Sequence, residues 1–312
     1  MPDGILKKVL KDVVIYILLK LPVKSLLRFK CLSKTWSTLI QSSTFINLHL
    51  NRTTTTNDEF ILFNRSVEEA PNQFKSIVSF LSSGQDNLDT PPVSPDLYVP
   101  YLNPNSSSIS HSLIGPCRGL VVLTDTIDTI LLNPATRNYR LIRPSPFVCP
   151  LGFCRSIDGV GFGFDSITND YKIVRILHLY GDPPFYDFAT KEWKVDLYEL
   201  STDSWRELDH VDQQLPYVHR YPCAELSYKG ASHWFGNTNT VVILCFDMGT
   251  ETFRNMKMPD TCHFKDRKWY GLVVLDESLT LICHPYPGCT IEPADFMEIW
   301  IMKVCLFLLN PH

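Results

Sequence analysis

Several things are missing from this 312-residue chain, and each absence narrows what it can be. No run approaches the ~20 apolar residues of a membrane-spanning helix, so a soluble protein is expected. No charged-then-apolar leader opens it, because Lys7, Lys8 and Lys11 lead into an amphipathic segment. The ten cysteines include no C-x-x-C pair: Cys149 with Cys154, and Cys283 with Cys289, have spacings that neither zinc nor redox chemistry prefers. Buried thiols in a reducing, intracellular compartment are therefore expected, and the triplets starting at Asn51, Asn64 and Asn105 match the glycosylation acceptor by chance.

Catalytic signatures are missing too. There is no G-x-S-x-G, P-loop or H-E-x-x-H, and His178, His210, His219, His233, His263 and His284 are dispersed. Gly159-Val-Gly161-Phe-Gly163 has the look of a phosphate loop but lacks the helix that would follow one, so a structural turn is expected there. Cys262-His263 and Cys283-His284 would form a metal or thiolate pair only if they met in space; buried thiols and satisfied histidines are the simpler expectation. A non-catalytic protein without cofactor or metal is the reading.

What is present begins with charge. Residues 1 to 52 carry nine Lys and Arg against two Asp, net +7, whereas the remainder carries 20 basic against 31 acidic residues, net −11. The basic head has no aromatic interleaving, which favours a solvated face over a nucleic-acid site. The acidic body favours a basic protein ligand.

The head is also the most apolar part. Val13, Val14, Ile17, Leu18 and Leu21 form one broad stripe of a helix with Asp12 in its first turn, and Pro22 ends it. A second helix runs through Leu26, Leu27 and Cys31. Ser33 caps a third carrying Trp36, Leu39 and Ile40, and Phe45 and Leu48 to Leu50 close the segment. Three short helices of this size cannot hide so much apolar surface, and the surplus marks a protein partner.

Beyond residue 52 short β-prone runs alternate with turn residues: 60 to 63, 76 to 81, 119 to 123, 130 to 133, 172 to 179, 194 to 200, 241 to 247, 271 to 275 and 279 to 283. Residues 86 to 112 are the most loop-like stretch. A weak repeat organises this body. Asn133-x-x-Thr136-x-x-Tyr139-Arg140, Asp165-x-x-Thr168-x-x-Tyr171-Lys172, Glu199-x-x-Thr202-x-x-Trp205-Arg206 and Asp247-x-x-Thr250-x-x-Phe253-Arg254 share one template. It reads as a hairpin in which the strand ends at an acceptor, a polar turn follows, and the return strand begins with an inward aromatic beside an outward cation. The intervals of 32, 34 and 48 residues suit irregular propeller blades better than a sandwich. The aromatics read as blade anchors. Ligand recognition is expected in the irregular loops at 86 to 112, 144 to 158, 180 to 192 and 209 to 222.

Asp12-Val-Val, Ile17-Leu18, Leu21-Pro22-Val23-Lys24-Ser25-Leu26, Arg28-Phe29-Lys30-Cys31, Ser33-Lys34-x-Trp36, Leu39-Ile40 and Phe45 to Leu50 together resemble the F-box in order and spacing. The resemblance implies binding of a Skp-type adaptor, and through it a cullin and a RING subunit, with contacts on Leu10, Ile17, Leu18, Leu21, Pro22, Leu26, Leu27, Cys31 and Trp36. One departure is the opening Val9-Leu10-Lys11-Asp12, which lacks the family's proline. Gly115-Pro-Cys117-Arg118-Gly119-Leu120-Val121, Leu132-Asn133-Pro134-Ala-Thr136, Gly161-Phe-Gly163-Phe164-Asp165, Asp170-Tyr171-Lys172-Ile-Val174 and Glu298-Ile-Trp300 likewise resemble the kelch-like F-box-associated domain of plant F-box proteins.

The threonine run after Asn47 to Arg52, Phe60 to Phe63 and the Pro-Tyr-Pro at 285 to 287 are similar to pollen S-locus F-box proteins. That implies an S-locus ribonuclease of the pistil as the protein substrate. The expected fold is thus α+β and multidomain: a three-helix F-box over 1 to 52 and an all-β, kelch-like propeller-type domain over 53 to 312. The function implied is substrate recognition for an SCF-type ubiquitin ligase, cytoplasmic or also nuclear, with no nucleic-acid or membrane partner. After Lys303 the chain departs from the family in Val304 to Leu309, from which impaired stability or an open body is expected; a general receptor for another protein target or a non-functional allele is the alternative to the ribonuclease receptor, and a kelch-type propeller enzyme or a nucleic-acid binder a remote one.

Overall fold

The computed structural model describes residues 12–53, 60–70, 73–82, 94–99, 112–124, 128–181, 192–208, 215–218, 225–237, 240–259, 268–285 and 298–302. The Val304 to Leu309 tail and Leu10 lie outside them. The contacts divide the chain into one unit of Met1–Leu113 with Arg118–Leu141, and another of Ile114–Cys117 with Ile142–His312. No helix among the described residues is long and apolar enough to cross a membrane.

The first unit opens with four described helices rather than three: α1 (12–19), α2 (Val23–Lys30), α3 (Lys34–Gln41) and α4 (Ser43–Thr53). Pro22 stands at the N-cap of α2 with φ −59°, and Ser33 caps α3 by accepting the Trp36 amide at 3.3 Å. The extra break falls at Ser42. Its backbone turns extended (φ −66°, ψ 140°), and its hydroxyl donates to the Leu39 carbonyl and accepts the Phe45 amide, closing one helix and opening the next. The bundle core is Leu18, Leu26, Ile40 and Phe45.

The same unit continues as β1 (Phe60–Ala70), β2 (Gln73–Ser82) and β3 (Ser94–Tyr98), an antiparallel sheet in that order. The stretch expected to be loop from 86 to 112 therefore contains a strand. After β4 (Ser112–Cys117), of which only the first two residues count with this unit, the unit resumes as the meander β5 (Leu120–Thr124), β6 (Thr129–Asn133) and β7 (Asn138–Leu141). Val78 and Val99 pack with Val121, Leu123, Ile130 and Leu132 as the core of these sheets. Helix α4 is tied to the turn before β5. The Arg118 guanidinium donates to the Asn47 side-chain oxygen, and Gly119, at φ +79°, lies so close to Leu50 that a Cβ would stand 3.2 Å from its methyl.

In the second unit β8 (Phe153–Asp165), β9 (Asp170–Gly181), β10 (Glu192–Glu199) and β11 (Ser204–Glu207) form one antiparallel sheet in the order β11-β10-β9-β8. A second contains β12 (Tyr217–Val218), β14 (Ala231–Asn237), β15 (Val241–Asp247) and β16 (Thr252–Lys257) in that order, with β13 (Glu225–Tyr228) also paired to β14. A third is β17 (Lys268–Leu275), β18 (Ser278–Pro285) and β19 (Glu298–Met302). Period-two alternation lets the second sheet serve two cores. Trp234, Leu244 and Phe246 pack with Val174, Ile176, Val195 and Leu197 of the first sheet, and Phe235 and Ile243 pack with Leu272, Leu279 and Leu281 of the third.

Gly159, Gly161 and Gly163 correct an expectation. They lie within strand β8, not in a turn, and they form a flat face for the second sheet. A Cβ on Gly161 would meet the Ser232 hydroxyl at 2.5 Å, and one on Gly163 would meet Met248 at 2.7 Å. The Trp234 indole uses that close approach to donate to the Val160 carbonyl at 3.0 Å. The expected recognition loop at 144 to 158 is likewise partly strand, since β8 begins at Phe153.

Candidate functional sites

The helical module sorts its expected contact residues by burial. Leu18 and Leu26, at 2% and 5% exposure, are core, and Leu21, Leu27 and Trp36 are half-buried, Trp36 lying 5.6 Å from the Phe29 ring. Ile17 is 53% exposed, and Pro22 and Cys31 are exposed as well. Leu10 lies outside the described residues. Val13 and Tyr16 were not among the expected contacts, yet both stand exposed on α1, Val13 one turn before Ile17 and Tyr16 directly beside it. Their signal was hidden because 13, 14, 15, 17, 18 and 19 are all apolar, leaving no polar side to distinguish inner from outer. Lys20 lies 4.2 Å over the Tyr16 ring, and its hydrogen bond and charge lower the Tyr16 hydroxyl below its ordinary value. The result is an apolar strip edged by a cation.

The four repeat copies form the second constellation, and each is the hairpin its template describes. Position one pairs with position six in every copy: Asn133 with Asn138, Asp165 with Asp170, Glu199 with Ser204 and Asp247 with Thr252. Asn133, Asp165 and Asp247 accept the amide of the Thr at 3.1, 3.3 and 2.9 Å, a side-chain cap that explains the acceptor at that spacing. The aromatics pack across the ladder, Tyr171 on Phe164 at 5.0 Å, Trp205 on Tyr198 at 5.2 Å and Phe253 on Phe246 at 4.7 Å. Sequence reasoning missed the fifth position. Arg137, Asn169, Asp203 and Glu251 are all left-handed, with φ of 58°, 56°, 51° and 57°, though none is glycine.

One cation does not face out as expected. Lys172, 2% exposed, donates to Asp165 and Glu251 at 2.7 Å each and to the Met248 carbonyl at 3.0 Å. Glu251 also takes Arg206 at 2.5 Å, and Arg206 reaches Glu199 at 3.2 Å. Three copies on two sheets are therefore joined by one chain of charges. Burial opposes the Asp165 charge, but Lys172, Thr168 and two backbone amides outweigh it and hold the carboxyl at about 2. Burial also opposes the charges of Lys172 and Glu251, and their mutual pairing raises the one and lowers the other.

Cys149, Cys154 and Cys283 are thiols, and among the described residues no group of three or more His, Cys, Asp or Glu could hold a metal. Cys262, His263, His210 and His219 lie outside the described residues. His233 is buried opposite Cys245 on β15, which bears the Arg254 guanidinium at 3.5 Å. Burial lowers His233 to about 4 and raises the Cys245 thiol, so the pair is neutral and closed to solvent.

The described residues are thus a small helical bundle with an exposed apolar strip, followed by a series of antiparallel sheets. Two family models match the chain: an F-box domain over residues 11–48 and an F-box associated beta propeller domain over residues 86–305. The chain belongs to the F-box proteins with an F-box-associated β-propeller domain. It is similar to F-box protein CPR1 of Arabidopsis thaliana, 26% identical over 307 residues that cover 94% of this chain and 68% of that protein. A putative F-box/kelch-repeat protein of the same plant is 27% identical over 311 residues, covering 94% and 67%. Protein SUPPRESSOR OF NIM1 1, also from Arabidopsis thaliana, is 28% identical over 247 residues, covering 76% and 60%. The chain thus spans about two thirds of the length of these relatives.

Proposed function

We propose that this chain is a non-catalytic substrate receptor of a cullin-based ubiquitin ligase, with residues 1 to 52 holding a Skp-type adaptor and the β body holding the target. The observation that carries this reading is the outer strip of α1, where Val13, Tyr16 and Ile17 stay exposed although the bundle behind them is closed. Pro22, Leu27, Cys31 and the half-buried Leu21 and Trp36 extend the contact, Leu10 leads into it, and Leu18 and Leu26 support it from within. The physical contribution is proximity: target and conjugating enzyme share one assembly, so lysine transfer is in effect intramolecular.

The target proposed is an S-locus ribonuclease, on the resemblance carried by residues 47 to 63 and 285 to 287. A different protein target is the second reading, and the net −11 of the body favours a basic one in either case. The test is co-purification of the tagged full chain with a Skp-type adaptor, comparing wild type with Ile17→Asp and Leu26→Ala. Ile17→Asp should lose the adaptor while keeping the parent's circular dichroism, and Leu26→Ala should lose both. Undiminished capture by Ile17→Asp overturns the assignment. Mixing the purified complex with pistil extract separates the target readings: ribonuclease peptides support the first, and another protein in their place supports the second.

A further inference from the structure

Residues 142 to 152 carry no regular strand or helix, yet the first part is pinned along the β10-β11 side of the first sheet in the second unit. Ile142 is buried at the start. The Arg143 carbonyl accepts the Trp205 indole N–H at 2.6 Å, and the Arg143 guanidinium meets Asp203 at 3.1 Å. Ser145 is the clasp. Its hydroxyl donates to Asp196 at 2.6 Å and accepts the Phe147 amide at 3.2 Å. Asp196 is buried, takes Arg175 on the same oxygen at 2.9 Å, and the Arg175 guanidinium lies 4.0 Å over the Trp205 ring. Beside the clasp opens a pocket of about 220 Å³ lined by Ser145, Phe147, Asp196, Trp205 and Arg206.

Beyond the clasp the segment is exposed and apolar, with Val148 and Leu151 facing water. The sequence around the hydroxyl is Arg143-Pro144-Ser145-Pro146, and the flanking prolines are exposed. A residue before proline is biased to extended backbone, and a serine followed by proline is the dipeptide that proline-directed kinases accept.

We propose that Ser145 is a phosphorylation site and that the phosphate releases this strap from the sheet. In the transfer the serine oxygen bonds the γ-phosphorus of ATP, the bridging bond to the β-phosphate breaks with its electrons leaving on ADP, and the hydroxyl proton passes to the kinase's base. The product oxygen has no proton for Asp196 and carries about two negative charges beside a buried carboxylate. Of the cations nearby, Arg175 is paired with Asp196, Arg206 with Glu199 and Glu251, and Arg143 with Asp203, and the Arg155 guanidinium donates to the Phe147 carbonyl at 3.1 Å. Repulsion therefore outweighs attraction, and the strap lifts off Trp205. Any effect on target binding rests on the receptor reading above, whereas the release itself does not.

The experiment has two arms on the full chain. First, incubation with a purified proline-directed kinase and Mg-ATP should place phosphate on Ser145, mapped apart from Ser94-Pro95 and Thr90-Pro91. Modification of Ser145 only after denaturation overturns the proposal. Second, Ser145→Glu and Ser145→Gln differ in charge but little in size. Hydrogen exchange of residues 142 to 152 should be about tenfold or more faster in the Glu variant, the scale of a lost charge-assisted hydrogen bond, while β8 to β10 keep their protection in both. Equal exchange in the two variants, or slower exchange in Glu, refutes the latch.

Discussion

Lys172 occupies the cation position of its repeat copy but is enclosed between two sheets, where Asp165, Glu251 and the Met248 carbonyl use its three donors. Lys172→Met keeps the stem and removes the charge, leaving Asp165 buried without its counter-ion. A loss of about 3 kcal/mol is expected, read by urea denaturation at neutral pH. Two other groups set the acid response. His233 has an ordinary value of 6.5 and is lowered to about 4 by burial, so from 6.5 down to 4 the unfolded chain takes up a proton that the native one refuses, and stability falls with pH by about 3 kcal/mol. Asp165 continues the decline from 3.8 to about 2, a further loss of about 2 kcal/mol. His233→Asn should flatten the first window and leave the second. Neither buried role was legible. The template correctly placed Lys172 in its hairpin, but strand alternation cannot show that the outward face of one sheet is the inward face of a junction.

At the scale of elements, β-prone runs bounded by turn residues announce strands, and 241 to 247 and 279 to 283 fall within β15 and β18. Strand β8 was hidden because its three glycines suggested a turn, when they supply flatness where two sheets meet. Gly161→Ala should cost about 1–3 kcal/mol by overpacking against Ser232 and Trp234, with unfolding followed by tryptophan fluorescence. The helices teach a similar lesson. Pro22 and Ser33 were legible because their effect is local, whereas the break at Ser42 depends on one hydroxyl serving two helix ends, which composition does not reveal. The exposed strip of α1 was only half legible. Ile17 was expected to be exposed, whereas the exposure of Val13, one turn before it, and of its neighbour Tyr16 was not, because α1 is apolar nearly all round.

At the scale of the molecule, what matters for a receptor is how firmly its parts are held. In the first unit α4 is joined to the turn before β5 through Asn47, Arg118, Leu50 and Gly119. Arg118→Ala should raise hydrogen exchange in α4 by about fivefold, the worth of one hydrogen bond, without reducing adaptor capture by α1. In the second unit the charge chain from Asp165 to Glu199 links hairpins of adjacent sheets. That helices give way to strands was legible from the change of periodicity near residue 52, but the compact units do not divide there, since the first contains the helices together with strands up to Leu141. The partner of each hairpin was not, because sequence spacing says nothing about which sheets become neighbours.

The hairpin ends have one more implication. All four copies share the same loop length, the same first-to-sixth pairing and the same left-handed fifth residue. Their backbones are therefore interchangeable while their surroundings are not. An octet moved from one copy to another would keep the strand register of its new host, but only one that brings both an acid at position one and a lysine at position eight could stand at 165 to 172, where Asp165 and Lys172 are buried; at the other three positions, whose cations are exposed, the surface can change without the fold.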